Sequence, residues 1–142
     1  MRDFQKSKVY HWESVNGIWG SKRLSNNQAD NLIEKVERYC HCKATPKITF
    51  RKRTTSRGSS TVIKLNNSPT IWLVIHEATH HIAYAASEGD SHGPKFVRLL
   101  IELLHHYKVA DRNQLLRSAK VNGIEVAKAN IIRRIKLEKE GR

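Results

Sequence analysis

Between Ile71 and Phe96 the chain reads IWLVIHEATHHIAYAASEGDSHGPKF and carries His76, His80, His81 and His92 of its eight histidines. His76-Glu77-Ala78-Thr79-His80 is an H-E-x-x-H pattern. On a helix, positions i and i+4 project about 40° apart, so two imidazoles can reach one ion about 2 Å from each. The same wheel puts Ile71, Ile75, Ala78 and Ile82 opposite His76 and His80. One face is therefore expected to pack on the core and the other to stay free for a metal. Glu77 falls about 100° from His76, beside the metal face. A general base belongs there, because zinc lowers the pKa of its water toward 7 and a neighbouring carboxylate can take the proton. Tyr84, about 80° from His76 on that wheel, is a candidate oxyanion stabiliser, with packing as its alternative role.

A catalytic zinc takes three protein ligands and keeps one position open. Glu88, Asp90, His92 and Glu102 are the candidates for the third. Glu102 lies off the Leu99/Leu103 stripe of its helix and is expected to face water. His92 precedes Gly93-Pro94, which forces a turn, and the loop after His80 is long enough for it to fold back. His92 is the preferred ligand; loop length alone leaves Asp90 open. His81 falls to the side of the pair and reads as a surface or bracing histidine. His105 and His106, near a helix C-terminus, suit the helix dipole better than a metal. Cys40-His41-Cys42 could be half of a metal site, but no second pair of ligands follows it. A disulfide between such near neighbours would be strained, so both cysteines are expected to be free thiols in a reducing compartment.

The elements that must position these groups read as α+β. SKVYHWE, with its aromatic and β-branched residues, is expected to be a strand. LSNNQADNLIEKVERYC reads as a helix, with a Ser25/Gln28 capping box and an apolar stripe of Ala29, Leu32, Ile33, Val36 and Cys40. KITFRKR and STVIKL read as two strands joined by TTSRGSS, a basic β-hairpin. Ser68 before Pro69 suggests an N-cap and first turn for a helix over 69–86. Pro94 opens the next helix, with Phe96, Leu99, Leu100, Leu103 and Tyr107 on one face. Asp111 and Gln114 cap a short one that Asn122-Gly123 ends. The tail EVAKANIIRRIKLEKEGR is expected to be helical and basic.

The 142 residues fit one domain, with 26 Lys+Arg against 13 Asp+Glu. The excess sits on the flanks of the histidine segment. Lys43, Lys47, Arg51, Lys52, Arg53, Arg57 and Lys64 fall in a stretch without an acid. Such a field attracts polyanions, nucleic acid first. The first residues lack the apolar core of a signal peptide, and no run approaches the roughly 18 apolar residues of a membrane span. A cytoplasmic protein is the expectation.

H-E-x-x-H followed by S-H-G-P-x-F resembles the SprT-like zinc metallopeptidases. The resemblance implies zinc ligands at His76, His80 and His92 and a catalytic glutamate at Glu77. It also implies a compact zincin-like core: N-terminal helix, small antiparallel-containing sheet, H-E-x-x-H helix, then further helices. RDFQKSKVY, HEATHH and SHGPKF with LLIELLHHY are similar to a small group from actinobacteria and their phages named as metallohydrolases. That likeness covers most of residues 2–125, which are expected to form the metallopeptidase domain, with 126–142 as the tail. SprT-like relatives include proteases that digest proteins crosslinked to DNA. This chain lacks the zinc-ribbon cysteines and separate DNA-binding domain that some of them carry, so its own basic hairpin and tail would supply the contact.

The expected function is therefore a one-zinc peptidase acting on protein or peptide, with DNA as a partner through Lys47, Arg51, Lys52, Arg53, Arg57 and Lys64. The alternatives are a nucleic-acid-binding protein with a structural or vestigial zinc, and a zinc hydrolase of another bond. A closed structural site wants four protein ligands, usually with cysteine, which disfavours the first of these. If His92 is the third ligand, His92→Ala should lose the zinc that the purified wild type carries. Metal analysis that finds unchanged zinc in the variant would move the ligand elsewhere.

Overall fold

In the computed structural model, residues 3, 5–43, 45–52, 56–59, 61–129 and 132 are described. The order is α1 (Lys6–Val15), α2 (Asn26–Tyr39), β1 (Lys47–Arg51), β2 (Arg57–Gly58), β3 (Val62–Asn66), α3 (Ile71–Ala85), α4 (Pro94–His106) and α5 (Arg112–Val121). This is an α+β arrangement of helices around a small mixed sheet.

The fold is built around α3. Every residue from Trp72 to Ala83 is buried, histidines and glutamate included. Packed against it are α2, α4 and the strands β2 and β3. α2 contributes Ala29, Leu32, Ile33 and Val36, and its Ser25/Gln28 capping box is present as read. α4 contributes Phe96, Leu99, Leu100 and Leu103, and begins with Pro94 in its first turn as expected. Asp111 caps α5 through the backbone N–H of Gln114.

Three elements differ from the sequence reading. Lys6–Val15 is a helix, not a strand, because Val9, Trp12 and Glu13 recur at helical spacing and are all buried. Trp12 packs edge-on against Trp72 of α3. That contact outweighs the strand preference of the local residues. The basic hairpin is also absent. The sheet order is β1-β3-β2, with β1 parallel and β2 antiparallel to β3. β1 lies at one edge, parallel to β3, and the short β2 is the strand that pairs antiparallel with β3, at the other edge. Finally, α3 starts two residues later than read. Residues 22–24 bridge 69–71 through Leu24 N–H to Pro69 O and Ile71 N–H to Lys22 O. That pairing keeps Thr70 extended, so Thr70 is the N-cap and accepts from the Leu73 N–H.

After α5 the chain runs back over α4, where the Ala127 N–H donates to the Pro94 carbonyl at 3.0 Å. The expected helical tail falls mostly on 130, 131 and 133–142, outside the described residues. No helix among the described residues is long and apolar enough to cross a membrane.

β2 approaches α3 so closely that a Cβ on Gly58 would overlap the Glu77 carbonyl oxygen. Gly58→Ala should therefore push the strand off the helix and cost about 1–3 kcal/mol. Urea denaturation measures this; a stability equal to wild type would mean that the sheet gives way freely.

Candidate metal centre

α3 and the turn before α4 bring His76, His80 and His92 together. One ligand nitrogen from each lies within 4.8 Å of the other two, and all three side chains are buried. His80 Nε2 and His92 Nε2 are 3.2 Å apart. Two nitrogens bound about 2.0–2.1 Å from one tetrahedral ion stand roughly 3.4 Å apart, so the pair is close to ligating separation.

Carboxylates on the N-terminal segment decide which nitrogens converge. Glu13 of α1 is 2 % exposed. Its Oε2 accepts from Trp72 Nε1 and pairs with His76 Nδ1, each at 2.7 Å. Asp3 Oδ2 pairs with His92 Nδ1, also at 2.7 Å. A carboxylate accepts only, so each Nδ1 carries the proton and each Nε2 is left with a lone pair. The turn holding His92 is pinned further by Gln5, whose Nε2 donates to the His92 carbonyl at 2.8 Å.

The electrostatics follow from burial. For His76, burial opposes a charge, but Glu13 more than offsets it and the pKa rises. Burial, reinforced by the neighbouring His76 and His92, holds His80 well below the usual imidazole value. Burial also lowers His92, against the pull of Asp3. The Glu77 carboxyl is pushed up to about 7 by burial; His76 draws it down and Glu13 pushes it up.

His80 and His92 open on a cleft of about 920 Å³ lined also by Glu77, Tyr84 and Tyr10, among others, while His76 lines a second recess. Tyr84 is 37 % exposed; its ring lies over His80 and its hydroxyl is 3.5 Å from Ser91 Oγ. Tyr10 of α1 meets the His92 ring edge-on at 5.0 Å. The second recess, of about 440 Å³, lies on the other side of Glu77, with Ile18, Trp19 and Leu73 in its wall.

The remaining candidates have other partners. Glu88 is ion-paired with Lys95 at 2.9 Å. Asp90 accepts from the backbone N–H groups of Lys95 and Phe96, capping α4. Glu102 does not face water: it is buried and paired with Arg112 and Arg98. Nor is the face of α3 opposite its isoleucines solvated. His76, Glu77 and His80 are each under 10 % exposed, because α1 and the Ser91-His92 turn cover that side. Of the two readings of His81, burial excludes the surface one: its side chain is fully buried.

Of the basic residues, Lys47, Arg51 and Lys64 share one face of the sheet, and Arg57 pairs with Lys64. These and Lys52 are exposed; Arg53 lies outside the described residues. Arg57 and Lys64, with Lys6, also line the cleft. No protein-family model, curated protein or solved structure matches the chain.

Asp3, Gln5, Tyr10 and Glu13 escaped the sequence reading: Tyr10 and Glu13 fell in SKVYHWE, which was expected to be a strand, and Asp3 and Gln5 in the segment before it. As a helix, Tyr10 and Glu13 stand three apart and share a face, which was the available signal. Glu13→Gln keeps an acceptor for Trp72 but removes the charge beside His76. Partners of this kind are worth about 10–100-fold in metal affinity, and the variant should bind zinc more weakly by that factor. Competition with a chromophoric chelator reads it; an unchanged affinity would mean that Glu13 serves packing alone.

Proposed function

We propose that the chain is a zinc-dependent peptidase of the SprT-like kind, with His76, His80 and His92 holding one zinc and Glu77 as general base. The observation that carries this reading is the convergence of three histidine nitrogens beside an acid on a cleft. Two of the three rings are held by carboxylates in the tautomer that a metal requires. Among the described residues no fourth ligand joins the three, which suits a catalytic site with an open position. A zinc ion held there would supply Lewis acidity, lowering the pKa of a bound water and polarising a carbonyl oxygen.

The chain's own residues do the rest. Glu77, with its carboxyl near 7, is placed to accept a proton from the attacking water as its oxygen bonds to the carbonyl carbon. It then delivers that proton to the amine nitrogen as the C–N bond breaks. Tyr84 and Tyr10 are the cleft hydroxyls that could donate to the developing oxyanion. Two features favour a peptide over another electrophile. β2 is an edge strand that lines the cleft, where an extended chain could lie alongside it. The apolar recess beside Glu77 would take a hydrophobic side chain.

The exposed basic face of the sheet supports DNA-associated proteins as the substrate class. Its lysines and arginines reach the cleft through Arg57 and Lys64, so a polyanion there would lie next to the reacting bond.

Glu77→Gln should keep its zinc and lose casein hydrolysis by at least the 10²–10⁴-fold typical of a general base, about 3–5 kcal/mol in the barrier. Assays with and without DNA on both proteins read the activity, and metal analysis reads the site. Undiminished cleavage by the variant would reject the mechanism. A wild type that binds zinc and DNA but cleaves nothing would favour a binding protein with a structural zinc.

A further inference from the structure

α3 carries another ligand next to the triad but turned away from it. The Nδ1 of His81, which is fully buried, lies 2.8 Å from the Ser59 carbonyl oxygen. A carbonyl can only accept, so Nδ1 holds a proton, and Nε2 presents a lone pair when the ring is neutral. That nitrogen faces Glu37 Oε2 at 3.4 Å and Cys42 Sγ at 3.9 Å. The three ligand atoms all lie within 4.8 Å of one another.

The local fold places them there. α2 ends in a Schellman turn, with His41 at φ 55° and the Cys42 N–H donating to the Glu37 carbonyl at 2.8 Å. The turn folds Cys42 back over the last coil of the helix, beside the Glu37 side chain. Packing of α2 on α3 then sets both against His81. Cys40-His41-Cys42 was set aside as half a site with no partners following it. The partners of Cys42 are instead Glu37, five residues earlier, and His81 on a different helix.

We propose that Glu37, Cys42 and His81 form a second metal site, selective for a borderline divalent cation such as zinc and separate from the histidine triad. With the ring neutral, a carboxylate oxygen and an imidazole lone pair face each other at 3.4 Å, and a cation between them would satisfy both. A proton on Nε2, donated to Glu37 or Cys42, is the competing occupant; a metal would engage all three groups at once. Oxygen and nitrogen donors at about 2.0 Å from a tetrahedral ion stand roughly 3.3 Å apart, and nitrogen and sulfur roughly 3.6 Å. The first separation is already met and the second needs a few tenths of an ångström. One thiolate and one carboxylate neutralise a divalent charge, and binding releases the Cys42 proton to solvent. The Ser59 carbonyl orients the ring as outer partners of metal-bound histidines do. With three protein ligands the fourth position falls to water. The ion would tie the end of α2 and the Ser59 segment of the cleft wall to α3.

Cobalt titration of the metal-free full-length protein separates the two sites, because sulfur is present in only one. Wild type should take up two equivalents of Co²⁺ and show a thiolate-to-cobalt charge-transfer band in the near ultraviolet. Cys42→Ser should take up one equivalent without the band, and His80→Ala should weaken the triad while keeping the band. Should Cys42→Ser fold poorly, alkylation of wild type gives the same answer: zinc should slow modification of Cys42 at least tenfold, mapped by mass spectrometry. A saturated wild type without the band, a band that survives in Cys42→Ser, or alkylation indifferent to zinc would each overturn the proposal.

Discussion

Burying a polar helix face sets the terms for the whole molecule. From Trp72 to Ala83 every residue of α3 is buried: its isoleucines meet the core, while His76, Glu77, His80 and His81 are covered by other elements. Buried polar groups cost several kcal/mol each unless they are partnered. The arrangement of the N-terminal segment follows from that requirement. Glu13 serves His76 and Trp72 with one oxygen, and Asp3 serves His92. The same bonds select the tautomers, so the partners needed for folding also aim the lone pairs at a common point. Satisfaction of the core and readiness for a metal are one set of contacts.

The sheet has a comparable double use. Ile63, Leu65 and Gly58 face α3, and Gly58 is the position where strand and helix backbones come nearest. The opposite face holds Lys47, Arg51, Lys64 and Arg57 in register. Its edge strand then becomes a wall of the cleft. The basic charge read from the composition thus reaches the candidate site through strand pairing and not through a separate arm.

Much of this was legible from local patterns, and the failures have physical causes. The α2 capping box, the Pro94 start of α4 and the Asp111 cap depend on atoms within a few residues of one another, and all are present. Lys6–Val15 was misread because Val9, Tyr10 and Trp12 favour strands locally, whereas the Trp12–Trp72 contact that stabilises a helix spans 60 positions in sequence. The hairpin was misread because turn residues between two strands say nothing of whether a third strand intervenes. Ser68 was misread as a cap because the bridge to residues 22–24 lies outside any local window. Glu102 was assigned to the surface, and His81 left between surface and bracing roles, by a wheel that sees one helix at a time.

By itself the sequence determined which side chains are the candidate ligands. H-E-x-x-H on a helix places His76, His80 and Glu77 whatever surrounds them, since helical geometry is local. The Gly93-Pro94 turn made His92 the favoured third ligand for the same reason. Only the tertiary structure brings His92, and not Asp90, beside the pair, because the carboxylate of Asp90 is taken by the N-terminus of α4 while Asp3 and Gln5 hold His92 in place. It also decided that Cys42, Glu37 and His81 meet. Their approach depends on how two helices pack, and the sum of many weak long-range contacts leaves no mark at any single position in the chain.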